Sequence, residues 1–240
     1  MFAVIFEVNP KPERYDEYLD LATMLRPDLD TIDGFLSIER FASQSRPGWI
    51  LSLSFWRDEA ALVRWRTHEL HHKVQEKGRF AVFRDYRLRV AQVVADDSPG
   101  AEPRRPDRRS AYNDTRAHPP TFVAVLEVAP AGGQRSARID GAAGADADTG
   151  RMDGCLGIER FDSIYVEGKY ACLASWRDEA TAMAWHDRVM GSVASGAMAA
   201  APVAGVHLRM TEVERDYGMF ARAEAPQYYS PVARLEEAAV

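Results

Sequence analysis

The alternation of apolar and polar residues predicts a strand, a helix and two more strands in the first part of the chain. Residues 2–8 are rich in Val, Ile and Phe and run into an Asn-Pro turn, which is typical of a strand. Residues 12–29 place apolar side chains at helical spacing, with a proline suited to the first turn. Residues 33–41 and 49–56 are predicted to form two strands of a hairpin.

A second helix and a last strand complete the unit. Asp58 is placed to cap a helix whose apolar spacing continues until Gly78, where glycine is predicted to end it. Residues 83–94 then predict a strand. The order β-α-β-β-α-β describes a ferredoxin-like unit, in which two helices cover one face of a four-stranded antiparallel sheet.

The chain repeats itself, without gaps, at a shift of 120 residues. The segment DGFLSIERF at 33–41 returns as DGCLGIERF at 153–161. Further pairs in the same register are Trp56 and Trp176, Trp65 and Trp185, and Arg89 and Arg209. Two long copies indicate a fused dimer, and a second sheet is the obvious cover for the free face of the first. The predicted fold class is therefore α+β, with two fused ferredoxin-like (βαββαβ) units that pack sheet to sheet within one chain.

The repeat divides the chain into four parts. Residues 1–95 and 121–215 are the two domains, and residues 96–120 are rich in Pro, Arg and Asp, as expected of a solvated linker. Residues 216–240 carry several aromatic side chains and are predicted to form an ordered tail that lies on the body of the protein. In the second copy, residues 132–150 are rich in Gly and Ala, so that the first helix is expected to be short or absent there.

Composition excludes several functional classes. With 46% apolar residues, 28% charged residues and a net charge of −6, the chain has the composition of a soluble globular protein without the positive charge that nucleic acid requires. No apolar run approaches the ~18 residues of a membrane span, and the first residues lack a basic signal region, which favours the cytoplasm. Cys155 and Cys172 are expected to be apolar side chains of the second copy, without a disulfide.

The two copies differ in a set of polar residues on the second helix and directly after it. The residues of the first copy and those that replace them are His71 and Gly191, His72 and Ser192, Gln75 and Ser195, and Arg79 and Ala199. If there is one active cavity, it therefore belongs to the first copy. Histidine suits such a role because its ordinary pKa lies near neutrality.

Residues 33–93 contain the segments IDGFLSIERF, SLSFWRDEAAL, WRTHELHHKVQEKGR and FRDYRLRVAQV, and they resemble the antibiotic biosynthesis monooxygenase family of dimeric α+β barrel proteins. The second copy matches through DGCLGIERF, SWRDEA and Trp185, and the segment RDYGMFARAEAP is similar to the tail of single-domain members. The resemblance implies two ferredoxin-like units that share a barrel, with a substrate cavity between the sheet and the helices of a unit.

The resemblance also implies a chemistry. Some relatives oxidise aromatic polyketides with dioxygen and use neither metal nor flavin, which requires a base, a group that stabilises the substrate anion and the exclusion of water. On this basis the predicted catalytic residues are His71, which follows Trp65 at the family's spacing, and Arg79. The predicted substrate-binding residues are Trp56, Trp65, His68, Gln75, Glu7 and Arg89. Because both tryptophans recur in the second copy, a purely packing role stays open for them.

Charged residues on the strands have a structural interpretation as well. Glu7 interrupts an apolar strand, so its carboxylate faces solvent, a cavity or an arginine, and an ion pair with an arginine is the favoured interpretation. The repeated dipeptides Glu39-Arg40 and Glu159-Arg160 are expected to be charge pairs between the sheets at the ends of strands.

Two metal-dependent alternatives carry less weight. The segment from His68 to His72 satisfies the His-Glu-x-x-His pattern of zinc proteases, but the next downstream histidine lies in the linker, and no metal site is predicted. A branch of the resembled family degrades haem through an axial histidine at the position of Gln75, and it has an asparagine near the position of Glu7. Both departures argue against that reaction.

The sequence therefore predicts a cofactor-independent monooxygenase or related tailoring enzyme of natural-product biosynthesis. The expected partners are a small hydrophobic, aromatic or polyketide-like substrate and dioxygen, and the expected assembly is a monomer with internal pseudo-dimer symmetry or a homodimer. The alternative is a non-catalytic protein that binds a small molecule or haem in the same cavity.

Overall fold

The computed structural model describes residues 1–97, 121–130, 149–195 and 203–232. The strands of the first copy are β1 (Phe2–Pro10), β2 (Phe35–Ser43), β3 (Ile50–Trp56) and β4 (Phe83–Asp96), and its helices are α1 (Tyr15–Met24), α2 (Arg26–Asp30), α3 (Glu59–Thr67) and α4 (Glu69–Lys77). The described elements of the second copy are β5 (Phe122–Pro130), β6 (Cys155–Ser163), β7 (Tyr170–Trp176), β8 (Val203–Gly218) and α5 (Glu179–Ala194). Short 3₁₀ turns occur at Pro12–Arg14 and Thr149–Arg151.

The eight strands form one closed barrel in the order β1-β3-β2-β6-β7-β5-β8-β4. Each copy contributes four neighbouring strands, and the copies are joined where β2 pairs with β6 and where β4 pairs with β8. Side chains of both copies fill the barrel interior, among them Ile5, Phe41, Leu53, Val125, Phe161 and Leu173. The predicted fold class and the sheet-to-sheet contact are confirmed, and the pairing of the sheet edges goes beyond the prediction.

The helices lie outside the barrel and cover the outer faces of the two sheets. Asp58 and Asp178 cap α3 and α5 as the repeat predicts, because each carboxylate accepts a backbone N–H three residues later, at 2.8 Å and 2.9 Å. No helix among the described residues is long and apolar enough to cross a membrane. Cys155 and Cys172 do not form a disulfide.

Both helical segments of the first copy are more broken than the apolar spacing predicts. Pro27 stands in the first turn of α2 and has no N–H to continue α1, so the segment divides at Leu25. The second segment divides at His68, whose extended backbone (φ −60°, ψ 130°) separates α3 from α4.

The α-helix ends at Lys77 with Gly78 as its C-cap residue, as predicted, but Gly78 keeps a right-handed helical conformation and does not turn the chain away. The chain continues through a π-helical turn, Gly78–Val82, before β4 begins. A Cβ atom on Gly78 would lie 2.5 Å from the ring of Phe83, so glycine also serves close packing at this position.

The tail returns to the first copy after β8. The backbone N–H of Met219 donates to the carbonyl oxygen of Tyr86 on β4, at 3.0 Å, and Met219 and Tyr217 belong to the same apolar cluster as Tyr18 of α1. Residues 219–232 therefore lie against the outer face of the first copy. The predicted linker from residue 98, the altered helix region 132–148 and residues 233–240 lie outside the described residues.

Candidate active site

A cavity of about 200 Å³ lies between the sheet and the helices of the first copy. Its apolar walls come from strand residues such as Val4 and Leu88 and from helix residues such as Leu25 and Val74. The predicted site residues that line it are Trp56, Trp65, His71, Gln75 and Arg79. A largely apolar hollow with a few polar groups is the usual form of a small-molecule site, and it lies where the resemblance places it.

His71 is held in the cavity wall by Trp65. The two rings stack with their centroids 4.2 Å apart and their planes 14° apart. Nδ1 of His71 lies 2.9 Å from the backbone carbonyl oxygen of Trp65. Because a carbonyl oxygen only accepts hydrogen bonds, Nδ1 must carry the proton, and this assignment leaves Nε2 unprotonated in the neutral ring.

His71 is neutral at physiological pH. Burial of its side chain lowers the pKa from 6.5 to about 4, and the hydrogen bond to Trp65 offsets only part of this effect. His68 and His72 lower the pKa of His71 further, since positive charge on either neighbour disfavours the imidazolium. The ring therefore offers Nε2 as a base or hydrogen-bond acceptor across the neutral pH range.

The repeated tryptophans have different neighbours in the two copies. In the second copy Trp185 is fully buried and packs against Trp176 with ring centroids 5.9 Å apart. In the first copy Trp65 stacks on His71, and Trp56 donates its indole N–H to the hydroxyl of Ser54, at 2.9 Å. The pair thus serves packing in the second copy, while in the first it also forms walls of the cavity.

Arg79 is almost fully buried, with 2% of its surface exposed. Its Nη1 donates to the carbonyl oxygen of Met219 at 2.8 Å and to the hydroxyl of Tyr86 at 3.3 Å. Its Nε has no hydrogen-bond partner, and no carboxylate lies within ion-pair distance among the described residues. Arg79 thus joins the tail to the cavity and presents uncompensated positive charge there.

The tail supplies further cavity residues that the sequence analysis did not identify. Arg222 donates to the hydroxyl of Tyr86 at 2.7 Å, and its guanidinium lies 5.3 Å from the ring centre of Tyr229. Gln75 accepts a hydrogen bond from the amide of Gln227 at 3.2 Å. The aromatic content of the tail was the available signal, but nothing in a local pattern indicates which copy a tail will cover.

The structure does not bring Glu7 and Arg89 into this cavity. Side chains alternate between the two faces of a strand, and Glu7 on β1 and Arg89 on β4 both lie on the face that points into the barrel. There Arg89 binds the carboxylate of Glu7 at 2.5 Å. Arg46 also pairs with Glu7, and Arg89 reaches Ser175 of the second copy at 3.1 Å. The expected ion pair is therefore present. Glu7 and Arg89 do not share a cavity with His71, so the three residues do not form one site.

The charge pairs between the sheets involve other partners than predicted. Glu159 binds Arg46 at 2.6 Å, and Glu39 pairs with Lys169, so each glutamate reaches across to the other copy. Arg40 follows Glu39 on the strand and therefore faces the opposite side, where it lines the cavity.

His68 lies behind the cavity wall and not in it. Its ring stacks on the ring of Trp65, with centroids 5.6 Å apart, but His68 itself does not line the cavity. Among the described residues, no three His, Cys, Asp or Glu side chains cluster in a way that could hold a metal ion.

A closed barrel made of two ferredoxin-like halves, with a hollow between sheet and helices, defines a dimeric α+β barrel protein in a single chain. The sequence pattern of one family in this class, antibiotic biosynthesis monooxygenase, matches residues 1–77 and 121–190, which is more than half of the chain. The chain belongs to that family, and its activity class is that of a monooxygenase, which acts on a small molecule with dioxygen.

The chain is similar to several individual proteins. The chain is 38% identical over 242 residues to a jasmonate monooxygenase of Pyricularia oryzae, an alignment that covers 97% of this chain and 100% of the relative. It is 32% identical over 92 residues to the uncharacterised protein YqjZ of Bacillus subtilis, covering 38% of this chain and 78% of the relative. A crystal structure of an antibiotic biosynthesis monooxygenase is 27% identical, with a TM-score of 0.35, over 40% of this chain and 100% of that chain.

Proposed function

We propose that the first copy's cavity oxygenates a small hydrophobic substrate, aromatic or polyketide-like, with dioxygen and without a resident metal or organic cofactor. The observation that carries the proposal is the neutral His71, whose tautomer and plane are set by Trp65 in the cavity wall. The proposed setting is natural-product tailoring in the cytoplasm.

The proposed reaction begins with loss of a proton from an acidic C–H or O–H group of the substrate to Nε2 of His71. The arginines of the cavity favour the substrate anion, and the anion in turn raises the pKa of the imidazole next to it. An electron-rich anion then reacts directly with dioxygen.

The atoms and electrons balance for a substrate with an acidic CH₂ group. The CH₂ carbon becomes C=O with one oxygen atom of dioxygen, and the other oxygen atom leaves as water with the two hydrogens. The substrate supplies all four electrons, so that no external reductant is needed. The side chains that close the cavity, including Trp56 and Trp65, exclude bulk water from the anion.

Oxygen uptake with a panel of anthrone-type phenols and jasmonate tests the proposal. Jasmonate belongs in the panel because a relative is named for it. We expect uptake by protein treated with a chelator, and a 10²- to 10⁴-fold loss of kcat in His71→Ala, the range typical of general bases. The matched control is His72→Ala, since His72 is on the same helix but does not line the cavity.

Two results would contradict the proposal. Unchanged kcat in His71→Ala would remove the base, and uptake abolished by the chelator and restored by a metal would remove the cofactor-independent step. Stoichiometric haem binding with a Soret band and no oxygen consumption by any substrate would favour the non-catalytic binding protein.

A further inference from the structure

The cavity of the first copy has an excess of positive charge. Arg40, Arg66, Arg79 and Arg222 line it, and no Asp or Glu of the described residues does so. The chain as a whole carries a net charge of −6, so this accumulation is local and opposite in sign to the rest of the protein. A small apolar cavity that collects guanidinium groups is suited to an anionic ligand.

Three of these arginines are occupied by groups of the protein. Arg79 and Arg222 donate to carbonyl oxygens and to the hydroxyl of Tyr86. Arg40 lies beside the hydroxyls of Tyr18 and Tyr165. Their donors are therefore at least partly used in the empty protein.

Arg66 differs from them because no hydrogen bond or ion pair of its guanidinium occurs among the described residues, and its Nε is buried. Burial lowers the pKa of Arg66, whereas carboxylate partners raise the pKa of other arginines such as Arg57. Glu59, which attracts Arg66 at longer range, is itself buried with Oε2 unpartnered. The buried Nε–H is costly without a partner, and the two Nη groups are donors that a ligand in the cavity can use.

The second copy lacks this residue. In the register of the repeat, His186 stands at the position of Arg66, and it is paired with Asp97 at 2.6 Å. Arg66 is thus present only in the copy that has the polar cavity, as are His71 and Arg79.

We infer that Arg66 binds a carboxylate of the substrate, so that the enzyme acts on apolar molecules that carry a carboxylic acid at some distance from the group that is oxygenated. This inference rests on the proposed function, since it names the substrate class of the same cavity. A planar guanidinium binds a carboxylate through two parallel hydrogen bonds, which fixes the direction in which the substrate enters. The apolar skeleton then extends along the wall toward His71.

Calorimetric binding of acids and their methyl esters tests the inference. The probes are jasmonic acid and a set of medium-chain and arylalkanoic acids, each compared with its own methyl ester, which has the same skeleton without the charge. We expect at least one acid to bind the wild-type protein about tenfold to a hundredfold more tightly than its ester. Arg66→Met should lose this preference by weakening the acid alone, and Arg66→Lys should retain part of it.

Arg64→Met is the matched control. Arg64 is one of the exposed arginines of α3 and donates to the backbone carbonyl of Asp33, at 2.7 Å, so its removal should leave the preference for acids unchanged. If Arg66→Met fails to fold, the acid-to-ester ratio of the wild-type protein and the Arg66→Lys variant decide the matter.

The inference is overturned if every ester binds as tightly as its acid, if no acid binds, or if Arg66→Met keeps the preference. Oxygen uptake separates this failure from that of the proposed function. Turnover of neutral phenols without any preference for acids would leave the oxygenase standing and remove the carboxylate site. Arg66-dependent binding of acids without oxygen uptake would support the carboxylate site and contradict the proposed oxygenase activity.

Discussion

The imidazole of His71 lies 2.9 Å from the backbone carbonyl of Trp65 through Nδ1, and its ring stacks on the indole of the same residue. This relationship depends on the break at His68. In a continuous helix the carbonyl of residue 65 would accept the N–H of residue 69. Here it accepts the N–H of His68 instead, at 3.1 Å, and the imidazole of His71 is its second donor. The irregular helix is therefore part of the candidate site.

The dependence of activity on pH should report the low pKa of His71. We expect the acid limb of kcat/KM to fall near pH 4, because the free enzyme loses its base only when the imidazole is protonated there. An ordinary histidine would lose activity near pH 6.5. Initial rates of oxygen uptake between about pH 3.5 and 8 check this. A limb near the ordinary value would contradict the buried environment of the ring.

The same shift should affect stability. Between the ordinary pKa of 6.5 and the folded-state pKa of about 4, the unfolded chain takes up a proton that the folded protein does not. The free energy of unfolding should therefore be fully present above the ordinary pKa and fall by roughly 3 kcal/mol as the pH drops through this window. His71→Gln should abolish this component. Urea unfolding of both proteins at several pH values measures the difference, and parallel curves would refute the prediction.

Arg89 and Glu7 should govern stability and not catalysis. Among the residues that the structure describes, Arg89→Met leaves Glu7 with Arg46 as its one ion-pair partner in a buried site, so we expect a loss of about 3–5 kcal/mol in the free energy of unfolding. Glu7→Gln combined with Arg89→Met should recover part of this loss, as a double-mutant cycle in denaturant would show. Oxygen uptake per folded molecule should not change in either variant. A large rise in KM would instead place the pair at the substrate.

Two glycines should respond in opposite directions to alanine. Gly34 has φ +89°, and a Cβ atom there would lie 2.7 Å from the side chain of Ala61, so we expect Gly34→Ala to destabilise the protein by about 1–3 kcal/mol. Gly191 lies in α5 with open space around it, and Gly191→Ala should stabilise by about 0.5–1 kcal/mol. Thermal unfolding compares them. Equal effects would show that the backbone conformation at Gly34 is unimportant.

Much of the fold could be predicted from the sequence because the relevant information is local. Strand alternation, the caps Asp58 and Asp178 and the repeat itself each depend on residues close to one another or at a fixed shift. The break at His68 could not be predicted in this way, since histidine has no strong preference against helix and the extended backbone depends on packing around Trp65.

The candidate site was predicted in part for a similar reason. His71, Gln75 and Arg79 were found because the second copy lacks them. The ion pair of Glu7 with an arginine follows from its interruption of an apolar strand. Both faces of β1 are apolar, so alternation alone does not say that this pair lies inside the barrel and not with His71. Arg66 was overlooked although it differs between the copies, because its significance depends on the absence of a partner, which only the folded structure shows.

The ring of strands closes between β2 and β6 and between β4 and β8, and all four segments belong to one polypeptide. Assembly of the two halves is therefore a first-order event, and dilution cannot separate them as it separates two subunits. In a symmetric dimer both subunits have the same sequence, so every mutation appears in both binding sites. A tandem chain is released from that constraint, so one half can specialise for chemistry while the other evolves for support alone.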